Sequence, residues 1–187
     1  MIYAPGRFCF IHIPRTAGMS ITATLVQHLT GNVDIIASTT NMPPLHRHSR
    51  ALELRDLIED WDSIYKFAFY RPSSAIYASD YRLHRMAQER IGTGQLHPAW
   101  EATVRMAMHE SFDEFVQRRW VPWLAGDSIW AHWTCQDPTI HRFDFRRLST
   151  EWPRLLKAIG VDPSLPLQRV NRGNTRFNKA SLVGAPT

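Results

Sequence analysis

The stretch Phe8–Ser20, FCFIHIPRTAGMS, decides how the rest of the chain reads. Its first six residues, Phe8 to Ile13, form an unbroken apolar and aromatic run, the length and texture of a strand buried on both faces. Pro14 cannot donate to a sheet ladder and ends it. Arg15-Thr16-Ala17-Gly18-Met19-Ser20 are basic, small and hydroxylated, and a helical pattern of Met19, Ile21, Leu25, Val26 and Leu29 follows, with Gly31 as its stop. Strand, tight loop and helix N-terminus in that order present several backbone N–H groups at the positive end of a helix dipole. That is a cradle for phosphate or sulfate. Arg15 adds a forked, permanent charge, and Thr16 and Ser20 add hydroxyls. The nucleotide-triphosphate loop G-x-x-x-x-G-K-[ST] does not stand here, because Met19 occupies the Lys place after Gly18 and no Gly sits five residues earlier.

A second stretch, Lys66–Tyr81, KFAFYRPSSAIYASDY, repeats the logic. Tyr65–Tyr70 reads as a strand ending at Arg71-Pro72, and a helix carrying Ile76, Ser79, Asp80 and Leu83 follows. Folded back beside its strand, that helix brings Ser79 near Arg71. In an α/β sheet both loops then lie at the carboxyl edge, where ligands bind. Between the two stretches, Val33–Ala37 reads as a further strand and Ser38–Pro44 as a loop delivering His46 and His48. A helix through Leu54, Leu57, Ile58 and Trp61 follows, with Ser49 as its N-cap. Beyond Arg90–Pro98, a loop, come a helix through Trp100, Val104 and Met108 and a capping box, Ser111 to Glu114, opening another. Thr139–Phe145 reads as a strand and Ser149–Ile159 as a helix, with Pro153 in its first turn and Gly160 at its end. Five of the seven tryptophans fall between Trp100 and Trp133, a density that suits core or lid packing and, less often, an acceptor pocket. No linker divides the chain, so residues 1–187 read as one domain with a loose tail over 180–187.

The first loop resembles the 5′-phosphosulfate loop of sulfotransferases that use 3′-phosphoadenosine-5′-phosphosulfate (PAPS). In Golgi-type and related bacterial members it looks like H-I-P-K-T-G-G-T-S, matched by His12 through Ser20 with Arg15 for Lys, Ala17 for Gly and Met19 for Thr. The second stretch resembles the family's 3′-phosphate motif, F-x-F-V-R-N-P-x-x-R-x-x-S-x-Y. Phe67, Phe69, Arg71, Ser79 and Tyr81 fall in register, while Pro72 is one position early and Ile76 replaces the second Arg. The run from Phe143 to Asn171 is similar to the family's C-terminal part, less specifically. The resemblance implies an α/β fold with a central parallel sheet flanked by helices, P-loop nucleotide-kinase-like. It implies that Arg15, Thr16, Ala17, Gly18, Met19 and Ser20 hold the phosphosulfate and that Arg71 and Ser79 hold the ribose 3′-phosphate. Arg172 and Arg176 would reach the nucleotide, no metal would be needed, and the acceptor would be a hydroxyl of a small molecule or saccharide.

Such a transfer is met mainly by positioning and electrostatics. Arg15 can stabilise charge on the leaving phosphate and is a poor general acid, since it does not give up its proton. The base candidates are His48 and, second, His46, where some family members carry a catalytic His. A neutral imidazole suits that role, and each also reads as a polar loop residue. His12, inside an apolar strand, reads as a core histidine orienting the loop, and Asp80 as a solvated or salt-bridged carboxylate. Nine histidines without a closely spaced Cys/His set give no metal-site signal.

Composition agrees with a globular protein that has a polyanionic ligand: 44% hydrophobic, 21% charged, net charge +5. The arginines are dispersed, which argues against a nucleic-acid-binding tract. Cys9 and Cys135 imply no disulfide framework, and no window approaches a membrane span or a secretory leader, so a cytoplasmic, soluble protein is expected. Two rival readings stand beside the transferase: a phosphotransferase of the nucleotide-kinase type, and a non-catalytic nucleotide or anion binder favoured by Arg15 in the Lys place.

Overall fold

A computed structural model describes residues 1–29, 36–37, 47–124 and 128–170. Its centre is a five-stranded sheet. The strands are β1 (Ile2–Ala4), β2 (Phe8–Phe10), β3 (Ile36–Ala37), β4 (Tyr65–Tyr70) and β5 (Ile140–Asp144), in the spatial order β3-β1-β2-β4-β5. β2, β4 and β5 run parallel, with Phe10 opposite Phe67 and Phe69 opposite Phe143. β1 runs antiparallel to both β2 and β3. The sheet is therefore mixed, not the parallel sheet expected. The cause is Pro5-Gly6: Arg7 N–H donates to the Ala4 carbonyl at 3.0 Å across them, and Gly6 takes φ +67°, a turn only a left-handed residue closes cheaply. It folds Ile2–Ala4 back onto Phe8–Phe10, which a reading starting at Phe8 passes over.

The two central strands β2 and β4 are buried on both faces because each alternates between two apolar layers, whereas β5 exposes His141 and Arg142. Phe8 and Phe10 of β2 and Phe67 and Phe69 of β4 point into one core with Phe143, while Cys9, Ile11 and Ala68 point into the other. The first layer is closed by α1 (Gly18–Leu29) and by the last helix, through Ile21, Leu25, Trp152, Leu155 and Leu156. The second is closed by α2 (Ala51–Arg55), α3 (Ser73–Met86), α4 (Pro98–His109), α5 (Phe112–Arg119), α6 (Val121–Leu124) and α7 (Ile129–Thr134). The last helix is α8 (Leu148–Ala158). Phe67 is the hinge of the first layer, with ring centres 5.1 Å from Phe10 and 5.8 Å from Phe8 and an edge-on contact to Phe143. Truncating such a fully buried ring to Ala costs about 3–5 kcal/mol.

Several boundaries move. Strand β2 ends at Phe10, before the expected Ile13, and the expected β3 start at Val33 lies outside the described residues. α2 ends at Arg55, well short of Trp61. Ser49 is buried and is not its cap: Arg50 precedes the helix, and its N–H donates to Glu53 Oε2 at 2.9 Å. The Ser111–Glu114 capping box stands as read. α8 begins at Leu148, so Pro153 lies inside the helix and leaves the Ser149 carbonyl without its i+4 donor. Among the described residues no helix is long and apolar enough to cross a membrane.

Candidate functional site

The loops that leave the carboxyl ends of β2, β4 and β5 converge on one cavity of about 740 Å³. His12, Arg15 and Ala17 to Ser20 form its floor, Arg71 and Ser79 one side, Phe145, Leu148, Ser149 and Trp152 the facing side, and Leu167 to Arg169 the rim. Three guanidinium groups line it, and among the described residues no carboxylate does.

The floor is strained. Arg15 and Ala17 both adopt left-handed backbone, φ 64° and 63°, at about 1–2 kcal/mol each for residues with a Cβ. Left-handed residues in a loop before a helix are the backbone conformation from which anion nests are built. Thr16, between them, is fully buried. Its hydroxyl donates to the Ile13 carbonyl at 2.7 Å, so it closes the loop and does not face the cavity. Gly18 is required for space, because a Cβ there would lie 1.8 Å from the Cδ2 and Nε2 atoms of His12. His12 is thus clamped between the loop and the sheet, stacked on Phe10 with ring centres 5.7 Å apart.

The two sequence motifs meet through Arg15. Its Nε and Nη2 donate to Ser79 Oγ at 3.2 and 3.1 Å, and Arg71 Nη1 donates to the Arg15 carbonyl at 2.9 Å. Arg71 also lies over the Phe145 ring, 4.9 Å from its centre. Burial pulls both guanidinium pKa values below the ordinary arginine range. The neighbouring Arg15 and Arg82 charges act the same way on Arg71, while Asp80 acts oppositely on Arg15. An arginine stays charged regardless, so each would gain from an anion. Asp80 is not solvated. It is 5% exposed and sits 3.7 Å from Arg119 Nε and 3.6 Å from His84 Nδ1.

His12 and His48 form a second feature. Their ring centres lie 4.5 Å apart, and His48 Nδ1 is 2.8 Å from the His12 carbonyl, a contact that requires the proton on Nδ1 and leaves the Nε2 lone pair unused by that bond. Burial pushes the His48 pKa down to about 4 and that of His12 well below its ordinary value, so both rings are neutral near pH 7. His12 Nδ1 is buried with no hydrogen-bond partner among the described residues. Trp133 Nε1 donates to the His48 carbonyl at 3.1 Å, and Arg47 reaches back to Met19 Sδ at 3.6 Å, fixing the segment to the loop.

The rim is held by side chains of α1. Ser20 Oγ accepts from Val170 N–H at 3.2 Å and Thr24 Oγ1 from Gln168 N–H at 2.9 Å, while Trp152 Nε1 donates to the Leu165 carbonyl at 2.8 Å. Ser20 therefore both lines the cavity and ties down its rim.

Of the residues picked from sequence, Arg15, Ala17, Gly18, Met19, Ser20, Arg71 and Ser79 are brought together at one cavity. His48 is one ring behind it, with His12 at the wall instead, and His46, Arg172 and Arg176 lie outside the described residues. Trp120, Trp130 and Trp133 pack against the second core layer, and Trp100 donates to His84 Nε2 at 2.8 Å. None of these four lines the cavity, and among the described residues the tryptophan that does is Trp152. Sequence reasoning missed Phe145, Leu148, Trp152 and Arg169. The signal was present for the first three: Phe145, Leu148 and Trp152 follow a parallel strand at helical spacing, a third use of the strand–loop–helix edge. Among the described residues no group of three or more His, Cys, Asp or Glu is arranged to hold a metal ion. Compared with known proteins, no family model, curated protein or solved structure matches this chain.

Proposed function

We propose that this protein is a PAPS-dependent sulfotransferase of nucleotide-kinase-like fold, acting in the cytoplasm on a hydroxyl of a small molecule or saccharide. The observation that carries the reading is the Arg15–Ser79–Arg71 junction, where a phosphosulfate-type loop and a 3′-phosphate-type strand end share one electropositive cavity. The residues suit the ligand. Arg15, Arg71 and Arg169 provide for anionic groups, and Phe145 and Trp152 offer flat apolar surface for a purine. The cavity volume lies in the range of sites that enclose a ligand of that size.

PAPS supplies an activated sulfuryl group on a phosphate–sulfate anhydride. Around it, the loop amides and Arg15 hold the 5′-phosphosulfate, and Arg71 and Ser79 hold the 3′-phosphate. Arg169 adds a third charge from the rim, with Arg172 and Arg176 as further candidates along the same segment. His48 does not line the nucleotide cavity but is part-exposed behind His12, so it takes the acceptor's hydroxyl proton at Nε2 from an acceptor that approaches outside that cavity, with His46 the second candidate, and His12 sets the orientation of both His48 and the loop. The neutral state of His48 at pH 7 suits a base.

Calorimetric titration with the product nucleotide, 3′-phosphoadenosine-5′-phosphate (PAP), beside ADP and ATP tests this. PAP is expected to bind at least about tenfold more tightly than ADP. Arg71→Ala is expected to weaken PAP by roughly 100-fold, the loss of charge-assisted hydrogen bonds to one phosphate, while leaving ADP nearly unchanged. Equal affinities, or an ATP preference, would sink the sulfotransferase reading and leave a phosphotransferase or a general anion binder.

A further inference from the structure

Four of the five large apolar side chains exposed among the described residues fall at two places of opposite charge. Met86 (59% exposed) and Phe112 (38%) line a shallow groove of about 580 Å³ on the outer side of α3, together with Arg82 and Arg85. Arg85 Nη1 donates to Tyr81 Oη at 3.2 Å, and neither arginine has a carboxylate partner among the described residues. No acidic residue lines the groove. The other pair, Leu52 (43%) and Leu57 (47%), stands in Leu52–Asp62, LELRDLIEDWD, which carries five acidic residues against one Arg, a net −4 (1 − 5) in a chain of net +5. Glu53 is paired with Arg50, and Asp60 is bonded to Tyr3 and Gly6. Asp56, Glu59 and Asp62 are exposed without an ion pair among the described residues.

We propose that the Leu52–Asp62 surface of one copy docks into the α3 groove of a second copy. Each surface alone leaves apolar area in water beside unpaired charge, predominantly acidic over Leu52–Asp62, where Arg55 is the one base, and basic at the groove. Joined, they bury the apolar area and set the acidic excess of one against the two arginines of the other. Groove against groove, or acidic surface against acidic surface, brings like charges together, so the charges favour groove against acidic surface over either symmetric pairing. The contact is heterologous. It closes as a reciprocal pair or a ring if the rotation between copies allows, and extends otherwise. None of the groove residues lines the anion cavity, so the association does not rest on the proposed activity.

Sedimentation velocity on the full chain and two charge-reversed variants tests the pairing. The wild type is expected to self-associate as concentration rises to about 200 µM, with the dissociation constant rising at least about tenfold between roughly 50 and 500 mM NaCl. Arg82→Glu/Arg85→Glu and Asp56→Arg/Glu59→Arg are each expected to stay monomeric, with unchanged thermal melting because all four side chains are exposed. Mixed together they are expected to form a 1:1 complex, since one keeps the intact acidic surface and the other the intact groove. A wild type that stays monomeric at low salt overturns the proposal, and so does association indifferent to salt or to either reversal, or a mixture that does not combine.

Discussion

The two strand–loop–helix crossings that build the cavity reach the same edge of the sheet by opposite means. After β2, the chain turns through two left-handed residues with Cβ atoms, and a histidine ring fills the space where a side chain at Gly18 would lie. After β4, the turn is relaxed: Pro72 enters α3 at φ −52°, ψ 138°, and no residue there takes positive φ. The first crossing works with backbone and holds strain in place by packing. The second works with side chains, Arg71 and Ser79, on an ordinary helix start. A loop that offers amides must hold its backbone in a costly shape, whereas one that offers a guanidinium needs only a well-placed strand end.

Three changes probe that difference. The largest effect is expected for Gly18→Ala, which drives a Cβ into the His12 ring. Loss of PAP binding and destabilisation by about 3 kcal/mol in denaturant melts are expected, whereas Ser74→Ala, on the exposed face at the start of α3, stays within about 0.5 kcal/mol. If Gly18→Ala melts and binds like the wild type, His12 does not hold the loop.

The pH dependence comes next. His48 titrates near 4 folded against 6.5 unfolded, so below pH 6.5 the unfolded chain binds more protons and stability falls as pH falls toward 4, and is present in full above 6.5. His12, and His84 on α3, are depressed too and contribute in the same direction. Each imidazole adds on the order of 1 kcal/mol per pH unit in its window. His48→Gln is expected to flatten the slope by one such increment, read from urea midpoints between pH 4 and 7. An unchanged slope would place His48 in solvent and break the imidazole pair.

The smallest effect is expected for Ala17→Gly. Relief of positive φ outweighs the greater freedom of glycine when unfolded, for a net gain of about 0.5 kcal/mol with PAP affinity retained. A loss of stability would mean that the Ala17 methyl, packed against the first core layer, matters more than its backbone strain.

Much of this was legible in the chain. The buried runs Phe8–Ile13 and Tyr65–Tyr70, with Pro14 beyond the first, whose strand stops earlier at Phe10, and Arg71-Pro72 after the second, placed strand, loop and helix in the right order. Parallel strands then dictate that both loops share one side of the sheet. β1 was not read, because three residues carry too little periodicity and only the Pro5-Gly6 turn marked it. Trp152 and Phe145 were not read as site residues, because an apolar residue looks the same in a core as at a cavity wall until the neighbouring strand is placed.

The sequence by itself determined the chemistry on offer: an arginine and small residues after one buried strand, and an arginine and a serine after another. Local order of apolar runs and breakers needs no tertiary information. Only the tertiary structure decided which of these groups meet. The Arg15–Ser79 contact spans 64 residues. Thr16 turned inward to its own loop, and His12 took the cavity wall in front of His48. Those outcomes depend on packing of β2 against β4 and of Gly18 against a ring, distances set by close contact between segments far apart in the chain.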